Sequence, residues 1–98
     1  MVEHVVLFQS TEEATPEQRD AMIAAVKKLK DQIPGIVDLS VGYNFSERAQ
    51  GFDIGVVVRF VDRAALDVYI PHPAHRACVE QFLQPIRKNT IVVDYEIG

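Results

Sequence analysis

Several features are scarce in this chain, and each scarcity narrows what it can do. One cysteine, Cys78, in 98 residues excludes an internal disulfide and fits a reducing compartment. No apolar run approaches the roughly 18–20 residues of a membrane-spanning helix. The opening Met1-Val2-Glu3-His4 enters a strand-like run with no basic stretch before it, so no secretory signal is expected and a cytoplasmic location is. Positive charge is scarce too. Ten basic against fourteen acidic side chains leave a formal charge of −4, which disfavours nucleic acid and anionic membranes as partners, since both attract a positive surface. Linkers, low-complexity stretches and blocks of like charge are missing.

What is present is a folded composition. Hydrophobic residues make up 48% and charged residues 24%, which argues against intrinsic disorder. The length fits one domain, 1–98. A domain of this size buries roughly 60–65% of the surface its unfolded chain exposes, so its stability is thin and association would add to it.

The hydrophobic pattern switches period along the chain. Residues 2–9 alternate as a strand, with His4, Val6 and Phe8 on one face and Val5 and Leu7 on the other. Thr15-Pro16-Glu17-Gln18 is a helix start: Thr15 caps, Pro16 suits the first helical position and Gln18 completes a capping box. Met22, Val26, Leu29 and Ile33 then form one apolar stripe, ended by Pro34-Gly35. Residues 36–43 predict a second strand with Val37, Leu39, Val41 and Tyr43 on one face, and residues 52–60 a third. Asp62 caps a short helix carrying Ala65, Leu66 and Tyr69; Pro71-His72-Pro73 breaks it; a second helical piece runs from about Pro73 to Leu83. Residues 90–97 predict a fourth strand.

The order is βαββαβ, and the simplest architecture is an α+β ferredoxin-like sandwich: an antiparallel four-stranded sheet with its helices on one face. Strands one and three carry apolar residues on both faces, and helices on one side cover only one of them. A large bare patch is avoided by monomers, so a second copy is expected on the other face, as a two-fold homodimer.

The segments His4-Val5-Val6-Leu7-Phe8, Ile33-Pro34-Gly35-Ile36, Gly51-Phe52-Asp53, Tyr69-Ile70-Pro71-His72-Pro73-Ala74-His75 and Val93-Asp94-Tyr95-Glu96 resemble, in this order, the stress-responsive dimeric α/β-barrel (Dabb) family. The His-Pro-x-His piece after a tyrosine is the most specific of them. The resemblance spans the chain and implies ferredoxin-like subunits packed sheet to sheet. It implies function poorly, because a fold hosts many chemistries. Within the family the chain is similar to plant polyketide cyclases of the olivetolic acid cyclase type, which close a linear polyketide by an intramolecular aldol step without a cofactor. That similarity implies Tyr69 and His75 as an acid/base pair and His4 as a pocket histidine. A further pocket tyrosine on the first helix of those cyclases is replaced by Val26, which argues against the same substrate but not against related chemistry.

Each candidate also has a structural role open to it. His75 titrates near neutrality and can move a proton next to a carbonyl, with Tyr69 holding an enolate oxygen; equally, it can bond a backbone carbonyl and fix a helix angle. His4 sits beside Val6 and Phe8, where a satisfied core histidine is common, and Tyr69 shares a helix face with Leu66 and packs as a core ring. His72, between two prolines, reads as a cap. Three histidines raise the question of a metal, but no carboxylate or cysteine completes a ligand set, and Cys78 reads as a small buried hydrophobe. No cofactor is expected. Asp94 and Glu96 fall opposite Tyr95 on strand four, where they read as solvated or helix-pairing carboxylates. The expected ligand is a small apolar carbonyl compound, held between sheet and helices by His4, Tyr69 and His75. The competing expectation is a homodimer that binds or supports without chemistry.

Overall fold

The alternating run Val2–Ser10 forms β1, and its two pairings set the architecture. The computed structural model describes residues 1–98. β1 pairs antiparallel with β3 (Ile54–Phe60) on one side and with β4 (Arg87–Glu96) on the other. β2 (Ile36–Tyr43) pairs outside β3, giving the order β2-β3-β1-β4. Helix α1 (Pro16–Gln32) precedes β2, and the second crossover holds α2 (Arg63–Tyr69) and α3 (Pro73–Cys78). This is the ferredoxin-like order with its second helical layer split in two.

Helix α1 starts where its capping box closes. The Thr15 hydroxyl accepts from the Gln18 backbone N–H at 3.1 Å, and the Gln18 side chain accepts from the Thr15 N–H at 2.9 Å. Met22, Val26, Leu29 and Ile33 are all buried, so the stripe read from the sequence is the face α1 presents to the sheet. After the helix, Gly35 adopts φ +90°, and a Cβ there would lie 2.7 Å from the Ala65 Cβ. Only glycine lets the turn approach α2 so closely.

The pattern and the structure part at four places. β2 carries a bulge between Ile36 and Asp38, so Ile36 rather than Val37 faces Phe60, and Val37 drops out of the buried stripe. β3 begins at Ile54, two residues later than alternation suggests, because Asp53 is used to tie the loop: its carboxylate accepts from the Ser10 N–H at 2.9 Å and from the Ser10 hydroxyl. The helical piece from Pro73 to Leu83 has the expected bounds but changes type along its length. It widens into a π turn at Val79–Leu83, in which the Gln84 N–H bonds the Val79 carbonyl, and closes in a 3-10 turn at Gln84–Ile86. Pro85 lacks an N–H and crowds the carbonyl four residues back, so a regular helix cannot pass through it. β4 starts at Arg87, before the predicted Thr90.

The sheet has two unlike faces. Phe8, Ile54, Val58 and Phe60 point to the helices and are buried. Leu7, Val57, Ile91, Val93 and Tyr95 point the other way and stay 36% to 50% exposed. On that open face Glu3 accepts from Arg59 Nε at 2.8 Å, one residue directly opposite the other.

Candidate active site

Tyr69 closes α2, whose start is held by the Asp62 carboxylate accepting from the Ala65 N–H at 2.9 Å. His72 is a cap, as its position between prolines predicts: its Nδ1 accepts from the Ala74 N–H at 3.0 Å. With Pro73 as the first residue of α3, His75 falls in the first turn, beside the end of α2. Its Nδ1 donates to the Ile70 carbonyl at 2.9 Å. A carbonyl can only accept, so in the neutral ring the lone pair is on Nε2. The bond that fixes the helix angle thus also sets which nitrogen can act as a base.

Burial sets the charge of these groups. Desolvation lowers the His75 pKa below its ordinary 6.5, the Ile70 carbonyl opposes this, and His4 and His72 add to it. Burial drives the Tyr69 phenol well above its usual range, with the Cys78 thiol adding to the effect, so its O–H stays protonated. The Cys78 thiol is raised by burial as well and behaves as a small apolar group. The Tyr69 ring centroid lies 4.5 Å from that of His75, 5.9 Å from that of His4 and 5.0 Å from that of Phe60. Tyr69 therefore packs against both histidines.

A cavity of about 180 Å3 opens between sheet and helices, and His4, Tyr69 and His75 all line it. The rest of the wall is mostly aliphatic, with Val26 and Leu29 from α1, Val6, Val56 and Val92 from the sheet, and Val79 and Leu83 from the π turn. Val26 indeed faces this space. The three polar residues read from the sequence share one site.

Sequence reasoning missed three others. Asp94 is exposed, as expected of a solvated carboxylate, but it also bonds His4 Nδ1, which the sequence pattern does not predict. The β1–β4 register puts the two residues directly opposite, and that long-range pairing has no local signature. Arg87 and Thr90 also line the cavity from β4; Arg87 lay outside the predicted strand. His72 spends Nδ1 on its cap, and no three His, Cys, Asp or Glu side chains gather to hold a metal ion.

Residues 2–97 match the Stress responsive A/B Barrel Domain. The chain belongs to that family. It is 28% identical over 100 residues to a stress-response A/B barrel domain-containing protein of Arabidopsis thaliana, covering 98% of this chain but only 37% of that protein. Among solved structures, a dimeric ferredoxin-like protein of unknown function from Thermobifida fusca superposes with a TM-score of 0.87 at 26% identity, covering 98% of this chain and 90% of that one. A hydroxynitrile lyase from Passiflora edulis superposes with a TM-score of 0.88 at 22% identity, covering 99% and 93%; at that identity the likeness is one of fold. No helix of the chain is long and apolar enough to cross a membrane.

Proposed function

We propose that this family domain pairs as a homodimer through its open sheet face, and that the cavity of each subunit performs cofactor-independent acid/base chemistry on a small apolar carbonyl compound. The dimer is supported by the apolar side chains left bare on that face and by the dimeric Thermobifida fusca relative. The chemistry is carried by one observation: an imidazole whose Nδ1 is bonded to the Ile70 carbonyl, leaving Nε2 free, lies ring to ring with a buried phenol in a mostly apolar cavity.

The steps follow from those two groups. His75 Nε2 takes the proton from the carbon next to the substrate carbonyl. The electron pair of the broken C–H bond forms the enolate, and the Tyr69 O–H donates to its oxygen. In a closure of the aldol kind the carbanion attacks a second carbonyl of the same molecule, a C–C bond forms, and the new alkoxide takes the proton back from His75. No atom is gained or lost. His4, held by Asp94, supplies a second polar contact beside Tyr69. The space suits one six-membered ring or a chain that folds into one, since a cavity of about 150 Å3 takes benzene.

The test is a screen of small carbonyl compounds followed by His75→Ala and Tyr69→Phe on any substrate found. Each change is expected to lower kcat by about 10²- to 10⁴-fold; full-rate turnover by both variants would sink the assignment. The second reading, a homodimer without chemistry, draws on the same His75–Ile70 bond, which ties α3 to the end of α2. It expects His75→Ala to lower the melting temperature and to cost no reaction.

A further inference from the structure

β4 carries a register break at the edge of the cavity. Val2 through Gln9 face Glu96 back through Asn89 one for one, and Ser10 then faces Arg87, so Lys88 is the extra residue of a bulge. A one-residue bulge exchanges the faces of everything beyond it. Thr90 and Val92 lie on the helix side of β4. Without the bulge the next residue on that side would be Lys88, and Arg87 would point to the open face. With it, Arg87 joins Thr90 in the cavity lining.

Arg87 arrives there without a partner. The ion pairs of the chain join His4 with Asp94, Lys30 with Asp38, Arg59 with Glu3 and Arg63 with Glu96. The cavity lining contains no carboxylate. Arg87 and Thr90 are exposed, His75 is half-buried and Tyr69 and His4 are buried, so the guanidinium marks the mouth and the lining grows more buried from there through His75 to Tyr69. Building on the cavity chemistry proposed above, we propose that the ligand bears a carboxylate, taken at the mouth by Arg87 with the Thr90 hydroxyl as a second donor, while its apolar body and reacting carbonyl lie inside. The substrate class is then a small oxo acid. The guanidinium is always charged and its planar fork matches a carboxylate. A carboxylate at the mouth also keeps part of its hydration, which avoids the cost of burying a charge.

Benzoate, benzamide and phenyl phosphate, titrated into ¹⁵N-labelled wild-type protein, Arg87→Gln and Arg87→Lys, test this. Benzoate should bind the wild type about tenfold or more tighter than benzamide, shifting the amides of Val6, Tyr69 and Cys78. Arg87→Gln should bring the two ligands within about twofold of each other and leave benzamide unchanged, and Arg87→Lys should fall between. Equal binding of benzoate and benzamide to the wild type, or a preference that survives Arg87→Gln, overturns the proposal and leaves the cavity reading intact. Phenyl phosphate binding about tenfold tighter than benzoate overturns the carboxylate in favour of a phosphate ester. If none of the three shifts the cavity amides, the cavity reading itself falls, and this inference with it. Arg87 is exposed, so the variants should melt with the wild type, and thermal melts check that.

Discussion

The two faces of the sheet start from similar material and end differently. Each takes alternate residues of β1, β3 and β4, and each is largely aliphatic. One is covered by the chain's own helices over β1 and β3, where Phe8, Val58 and Phe60 are buried, while its β4 edge with Thr90 and Val92 stays exposed. The other leaves Leu7, Val57, Ile91, Val93 and Tyr95 partly bare. Each face also takes one polar residue from the start of β1 and pairs it with the residue opposite, Glu3 with Arg59 on the open side and His4 with Asp94 on the closed side. The difference lies in what the pair sits beside. Glu3 and Arg59 border a flat apolar surface suited to a second subunit. His4 borders a cavity with a phenol and a second imidazole. In the function proposed above, adjacent residues of one strand serve assembly and chemistry.

The sharpest way to break the comparison is to damage each face in turn. Phe60→Ala on the closed face removes a fully buried ring and should cost about 3–5 kcal/mol, read by urea denaturation. For a domain of this size that is a large part of its stability. Val57→Asp, three residues away on the open face, should leave the helical circular-dichroism signal intact and raise the dimer dissociation constant by about 10²-fold or more, read by sedimentation, because it strands an unpaired charge in an apolar contact. If Val57→Asp unfolded the chain as readily as Phe60→Ala, the open face would belong to the subunit's own core rather than to a dimer.

How far the sequence reveals this depends on the range of the interaction. The capping box at Thr15, the stripe Met22-Val26-Leu29-Ile33 and the His72 cap are local, and each is legible from residue type and spacing. The two-faced pattern of β1 is legible too, as is the set His4, Tyr69 and His75, the latter through a family resemblance rather than through spacing. The bulges are not. The extra residue at Val37 and the one at Lys88 each reverse a face, and neither is marked by glycine or proline. For that reason simple alternation puts Val37 on the wrong side and leaves Arg87 out of the site. Asp94 escapes for a related reason: its partner lies 90 positions away in sequence, and only the register of β1 on β4 brings them together.

A smaller effect separates the two polar pairs. His4 is buried and its Nδ1 depends on Asp94, so Asp94→Ala should strand a buried donor and cost about 1 kcal/mol. This is the low end for such a loss, because the Asp94 side chain is itself 43% exposed and water can partly replace it. Asp94→Asn keeps an accepting oxygen and should cost less. Removing the open-face partner, Arg59→Ala, takes the guanidinium from the buried Glu3 carboxylate and should destabilise the fold as well as weaken the dimer. Guanidinium titration of the three variants, at protein concentrations above and below the dimer midpoint, separates the cases.

The smallest expected effect is a pH dependence confined to the closed face. The His75 pKa is lowered in the folded chain from the 6.5 of an unperturbed imidazole, chiefly by burial, with His4 and His72 adding to it against the Ile70 carbonyl. In the interval between the folded value and 6.5 the unfolded chain therefore binds more protons than the folded one. Stability from this source is fully present above about 6.5 and falls as pH drops through that interval to the folded value, below which it changes no further. His75→Gln, which has no group to titrate there, should flatten that part of the stability curve and leave the region above neutrality alone. The same shift keeps Nε2 available as a base on the acid side of neutrality, so the acid limb of any rate profile should have its midpoint below 6.5. An NMR titration of the His75 ring reads the value directly. A midpoint at or above 6.5 would mean that the ring is solvated and that the cavity does not tune it.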